Sequence, residues 1–166
     1  MTGSGDGGAA APLPEIGFYH LQRSALEPAL ARLLERVLAS GQRAVVRASS
    51  ADRVEALNRA LWTIGQGSFL PHGSRADGFA EDQPVFLTEA ADYPNGATVL
   101  VLVDGAEVEP PPQVTRCLDL FDGQDEHAVA AARERWRRWR ERGALITYWR
   151  QTERGWQNVT ADAGGR

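Results

Sequence analysis

Short apolar runs with strand character alternate along the chain with longer stretches in which apolar residues recur every three or four positions. Glu15–Leu21 (EIGFYHL) is rich in β-formers and reads as a first strand. Leu26, Leu30, Leu33, Leu34, Val37 and Leu38 then share one helical face, with Gly41 as the stop. Arg43–Ala48 (RAVVRA) reads as a second strand. Ser50 is a suitable N-cap for a second helix whose apolar face carries Val54, Leu57 and Leu61. Gly65–Asp82 is a long, glycine-rich connection, followed by a strand candidate at Pro84–Thr88 and a turn at Pro94-Asn95-Gly96. Thr98–Asp104 (TVLVLVD) is continuously apolar, as expected of a central strand covered on both faces. Arg116–Phe121 (RCLDLF) is another strand. Gln124–Arg142 is the longest helix, capped by Asp122 or Asp125 and ended by Gly143. Ala144–Gln151 and Trp156–Thr160 suit a closing strand or hairpin around Gly155.

Strand–helix–strand–helix within about 50 residues packs most naturally as a parallel sheet with right-handed crossovers. The expected fold is therefore α/β, with one domain over residues 15–160. A Gly/Ala/Ser/Pro-rich leader, Met1–Pro14, and a tail over residues 161–166 are expected to be disordered, since neither can bury enough apolar surface to offset its ordering entropy. A length of 166 residues with 43% hydrophobic and 24% charged content suits one ordinary globular core. No internal repeat is visible.

Charge sharpens this picture. The net charge is −4, and all 18 basic residues are arginine. Six of them fall in Arg133–Arg142 against two glutamates, so that segment is +4 and the remainder −8. Such a balance argues against a surface that binds nucleic acid over its whole extent. Guanidinium forks suit carboxylates better than ammonium groups do. The single cysteine, Cys117, excludes an internal disulfide framework and a cysteine-built zinc site. No apolar run approaches the roughly 20 residues needed to span a bilayer, and the leader lacks the basic start and apolar middle of a signal peptide. A cytoplasmic location without membrane contact is expected.

Catalytic signatures are missing. Gly3-x-Gly5-x-x-Gly8 matches a dinucleotide fingerprint only formally, because no strand precedes it and no helix follows it to present N–H groups to a pyrophosphate. There is no phosphate-binding lysine loop, and the chain has no lysine at all. His20, His72 and His127 are not at metal-ligand spacing. Neither a catalytic site nor a cofactor or metal is expected. The competing possibility is a small nucleotide- or substrate-binding α/β enzyme with its pocket at the carboxyl ends of the strands.

Two groups of residues remain. On the helix Gln124–Arg142, at 100° per residue, Ala128, Val129, Ala132, Trp136 and Trp139 form an apolar arc. Arg133, Arg137 and Arg140 border it on the Trp136/Val129 side, while Arg135 and Arg142 flank the other. This is either an amphipathic helix with a solvated arginine rim, or a groove for an acidic peptide with an apolar end. Single-stranded nucleic acid could use the same Arg–Trp chemistry. The second group is Ala60-Leu61-Trp62 with Ser68-Phe69-Leu70-Pro71-His72, which is either a loop folded onto the core or a hydrophobic docking patch.

In order and spacing these blocks resemble the chi subunit of DNA polymerase III. The matching stretches are Gly17-Phe18-Tyr19, Gly41-Gln42-Arg43-Ala44-Val45-Val46, Glu55-Ala56-Leu57-x-x-Ala60-Leu61-Trp62, Ser68-Phe69-Leu70-Pro71-His72 and Ala132-Arg133-Glu134-Arg135-Trp136 with Arg137, Trp139 and Arg140. The resemblance implies a Rossmann-like three-layer fold with a mostly parallel central sheet and no nucleotide-binding loop. It implies a non-catalytic adaptor in the clamp-loader assembly. One surface would bind the acidic C-terminal tail of single-stranded-DNA-binding protein, through Arg133, Trp136, Arg137 and Arg140. Another, Trp62, Phe69, Leu70, Pro71 and His72, would bind a psi-like subunit or another replication or repair protein. DNA would be met mostly indirectly. Val129 departs from members that carry a basic residue one turn before Arg133, a charge that Arg140 would supply instead.

Overall fold

A computed structural model describes residues 12–64 and 70–160. Eight strands and three α-helices follow in the order β1 (Glu15–Leu21), α1 (Leu26–Ala39), β2 (Ala44–Arg47), α2 (Ala51–Thr63), β3 (His72–Ser74), β4 (Val85–Thr88), β5 (Val99–Leu102), β6 (Arg116–Asp122), α3 (Glu126–Glu141), β7 (Ile146–Thr152) and β8 (Gly155–Asn158). The strands form one sheet in the order β3-β4-β2-β5-β6-β1-β7-β8. Every pairing is parallel except the β7–β8 hairpin. Ser50 caps α2 by accepting from the Arg53 amide, and Gly41 and Gly143 take the left-handed conformation just beyond α1 and α3.

Alternation along the strands divides the core between the two sheet faces. Val46, Val85, Leu87, Val99, Val101, Leu118 and Leu120 pack with Leu30, Leu34, Leu57 and Leu61 of α1 and α2. Val45, Phe86, Leu100, Cys117 and Phe121 pack on the other face with Ala132 and Trp139 of α3. The result is a Rossmann-like three-layer α/β fold. All four residues of β5 are buried at its centre, as a strand covered on both faces requires.

One expectation is corrected. The connection 65–82, read as irregular, contains the edge strand β3, which pairs with β4, and two single-turn 3-10 helices, Arg75–Asp77 and Ala80–Asp82. Three residues, two of them Gly73 and Ser74, carry no alternation and little β-propensity, so only the pairing to β4 makes them a strand. The expected leader lies outside the described residues up to position 11, and the tail 161–166 lies outside them entirely. Leu13 already packs against the α3-side core.

A charged pair lies inside that α3-side core. Asp119 projects from β6 toward α3, and Arg135 meets it with a two-pronged bond, Nε to Oδ2 at 2.7 Å and a terminal nitrogen to Oδ1 at 3.0 Å. Both side chains are almost fully buried. Burial pushes the Asp119 carboxyl upward, and the bonds and charge of Arg135 oppose it. Removing one partner leaves a buried charge uncompensated, whereas an apolar pair of similar size does not. Arg135→Met is therefore expected to cost about 3–5 kcal/mol in urea unfolding, and Asp119→Leu/Arg135→Met to recover most of that loss. Cys117 lies beside this pair. Burial, followed by the carboxylates of Asp119 and Glu109, pushes its thiol up to about 12. A thiol reagent at mildly alkaline pH should label it only as fast as the protein unfolds; rapid labelling of the folded chain would contradict this placement.

Candidate functional site

Helix α3 begins at Asp125, whose carboxylate accepts from the amides of His127 (2.9 Å) and Ala128 (3.3 Å). With Arg135 held inward by Asp119, the 100° rotation per residue fixes where every other side chain goes. Ala132 and Trp139 fall inside and are buried, and Val129 and Trp136 are half-buried at the margin. Arg133, Arg137 and Arg140 stand exposed beyond that margin.

The arginines of this helix belong to two differently occupied rows. On one flank, Arg138 pairs with Glu107 and Arg142 makes a two-pronged bond to Glu109 at 2.9 and 3.0 Å. Both acids lie on the β5–β6 connection. The Arg142 guanidinium also covers the Trp139 ring at 4.6 Å. On the opposite flank Arg137 bonds Glu134 at 2.6 Å, an exposed pair one turn apart. Among the described residues neither Arg133 nor Arg140 has a carboxylate within ion-pair distance. Arg140 lies over Trp136 at 5.1 Å, which holds that indole at the rim of an open basic strip.

Neighbouring strands extend this strip. Tyr148 and Arg150 alternate onto one face of β7. The Tyr148 hydroxyl is 2.9 Å from Nδ1 of His20 on β1, and His20 packs against Phe121 of β6 with ring centroids 5.0 Å apart. Burial lowers the His20 imidazole below its ordinary value, and the Arg150 and Arg133 charges lower it further; the Gly123 backbone and Asp122 pull the other way. Burial raises the Tyr148 phenol, and the same two arginines draw it back. Arg133 and Arg150, from different elements, therefore share one electrostatic neighbourhood over an aromatic floor. Helical spacing placed Arg133, Trp136, Arg137 and Arg140 along one side of the helix, and the structure has them there. Spacing along the helix gave no sign of Arg150, Tyr148 and His20, which come beside this strip only through the β1–β7 pairing.

The second group is placed differently. Leu70 and His72 are buried and Pro71 is half-buried. The His72 ring sits between the Leu70 carbonyl (2.6 Å from Nδ1) and the Asn58 carbonyl (3.2 Å from Nε2). Trp62 is 55% exposed and tilts over that ring at 4.2 Å. Phe69 lies outside the described residues. Among the described members of this group, Trp62 alone offers a broad open apolar face; Leu70 and His72 are spent on anchoring the segment that becomes β3.

A cleft of about 1110 Å³ opens at the carboxyl ends of β1, β5 and β6, where α/β folds usually take ligands. Its charged lining is largely paired internally. Arg53 bonds both Asp104 oxygens at 3.0 and 3.1 Å and approaches Glu27 at 3.7 Å. The consecutive amides of Gln22, Arg23 and Ser24 all donate to Oε1 of Gln151, at 3.0, 2.8 and 3.1 Å. A side-chain oxygen of the chain itself thus satisfies the amides that follow β1. Among the described residues no three His, Cys, Asp or Glu side chains gather as metal ligands, and no helix is long and apolar enough to cross a membrane.

A curated relative from Rickettsia prowazekii (strain Madrid E), described as "Probable DNA polymerase III subunit chi", is 29% identical over 109 residues. The alignment covers 66% of this chain and 66% of the relative, slightly under two thirds of its length. The family model described as "DNA polymerase III chi subunit, HolC" matches residues 13–147, from the lead-in to β1 through both arginine rows of α3 and into β7. With most of its length covered by that one match, the chain belongs to the DNA polymerase III chi subunit family.

Proposed function

We propose that this chain is a non-catalytic accessory subunit of the DNA polymerase III clamp-loader assembly, working in the cytoplasm, that links the replicase to single-stranded-DNA-binding protein by capturing its acidic C-terminal tail. Family membership supports a replication role. The observation that carries the tail assignment is the asymmetry of α3: the Arg138/Arg142 row is neutralised by Glu107 and Glu109, while Arg133 and Arg140 meet no carboxylate among the described residues. A solvated rim would account for exposed arginines alone; the half-buried Trp136 beside that open row is what favours a groove for an acidic segment with an apolar end.

In this reading Arg133 takes tail carboxylates by charge-assisted bonds worth on the order of 1–3 kcal/mol each. Arg140 holds Trp136 and adds charge, and Trp136 receives the tail's apolar end. Arg137 must first exchange Glu134 for the ligand, so its net gain is smaller. Arg150 extends the basic strip from β7. A short disordered segment loses entropy on binding, so one tail binds weakly or moderately, and several tails on an oligomeric partner strengthen retention by avidity. Exposed ion pairs make the interaction sensitive to salt.

Arg133→Ala should weaken binding of a synthetic acidic peptide ending in a free phenylalanine carboxylate at least about tenfold by calorimetry, with thermal stability nearly unchanged. Equal affinity in the variant overturns the assignment, and tighter binding to an oligonucleotide than to the peptide would favour direct contact with single-stranded DNA. The carboxyl-edge cleft keeps the enzyme alternative open to a test, in which stabilisation by a nucleotide in a ligand-shift screen would favour it. Trp62 is assigned to a psi-like partner. Trp62→Ala should spare peptide binding and melting temperature while reducing co-purification of that partner; loss of the fold would instead place the indole among the core residues.

A further inference from the structure

His20 occupies an unusual position beside the tail site. Its Nδ1 faces the Tyr148 hydroxyl at 2.9 Å. Its Nε2 is covered from solvent, makes no side-chain hydrogen bond among the described residues and lies against the Gly123 backbone. The ring lies so close to the backbone that a Cβ on Gly123 would fall 2.0 Å from Cδ2 and 2.1 Å from Nε2. The imidazole is therefore held in place, with Phe121 against one side. The charged and titratable groups that act on it come from each element around it: Arg133 from α3, Arg150 and Tyr148 from β7, and Asp122 from the end of β6. Two cations oppose one anion.

We propose that His20 is a proton-linked element of the tail site: an acidic ligand seated on the Arg133–Arg150 strip favours the imidazolium, so the ligand and a proton bind together. The proposal rests on the tail-capture reading. Its physical basis is linkage. In the free protein, burial and the two guanidinium charges hold the imidazole below its ordinary value of 6.5. A bound carboxylate offsets those guanidiniums, so the bound-state value is higher. The extra affinity is fully present below the free-state pKa and is lost as the pH rises through the bound-state pKa. Coupling is reciprocal, so ligand binding draws a fraction of a proton onto the imidazole wherever lowering the pH strengthens binding. At this site Arg133 and Arg150 contribute on two counts, by attracting the carboxylates and by being partly neutralised when they arrive.

The test is a calorimetric titration of the full chain with a synthetic aspartate-rich peptide ending in a free phenylalanine carboxylate. It is run near pH 7.5 and near pH 5.5, each in two buffers of different ionisation enthalpy. The expected result is a gain in affinity of about three- to tenfold at the lower pH, with net proton uptake. His20→Gln should flatten the pH profile and abolish the uptake, whereas His127→Gln, at the exposed start of α3, should keep both. Because a variant could disturb the packing on Gly123, the His20 ring protons of the unsubstituted protein are also titrated by NMR with and without peptide; their midpoint should rise on binding. Binding that is pH-independent and proton-neutral, or a His20 midpoint that does not move, overturns the proposal and leaves tail capture standing. No binding at either pH overturns both.

Discussion

The bidentate bond between Arg135 and Asp119 sets the orientation on which the open arginine row depends. It joins the middle of α3 to the middle of β6 inside the core, and it fixes the rotation of the helix about its own axis. A helix held only by Ala132 and Trp139 could roll by tens of degrees for a modest change in apolar contact, because hydrophobic packing is largely non-directional. A guanidinium with two bonds to one buried carboxylate cannot follow such a roll without leaving a charge unpaired. With Arg135 directed inward, Arg138 and Arg142 must face the β5–β6 connection and its glutamates. Trp136, Arg140 and Arg133 must emerge on the other side, next to β7. The buried pair thus specifies orientation more than it adds net stability.

That orientation explains why two rows of arginines meet different partners. Arg138 and Arg142 fasten the β5–β6 connection to the helix, and Arg142 closes over Trp139. These contacts are exposed and individually weak, yet they lie where neutralising acids are supplied by the chain. On the β7 side the neighbours are Tyr148, His20 and Arg150, and the supply of acids is thin. The positive potential there is a consequence of which strand lies beside the helix. It is not a property of the arginine run alone, which sends arginines to both flanks.

Much of the architecture was legible from periodicity. β1 and the three helices fall close to their expected limits, because each pairs a clear apolar pattern with a distinct stop such as Gly41 or Gly143. β3 was not legible, since Gly73 and Ser74 become a strand only through β4. The open row was found by helical spacing, but Arg135 was mistaken for a flanking residue. A signal for it existed: Asp119 is an acid in the middle of the apolar strand RCLDLF, and a buried carboxylate demands a cationic partner from the element packed on that face. His20, Tyr148 and Arg150 carried no such signal, because only the parallel pairing of β1 with β7 brings them to α3.

The same reasoning supports placing the proposed site on a flank and not at the carboxyl edge of the sheet. At that edge a doubly wound fold ordinarily presents free backbone amides and helix N-termini to an anionic ligand. Here three consecutive amides are capped by Gln151, and Arg53 is bonded to Asp104. An anion entering there must displace ligands that are covalently part of the chain and already positioned, an effective concentration no free peptide can match. On the α3–β7 flank Arg133 and Arg140 have no such internal competitor among the described residues, and an incoming carboxylate displaces chiefly water. For the proposed ligand, a short, flexible, acidic segment that must also give up its own conformational freedom, that difference favours the flank over the edge.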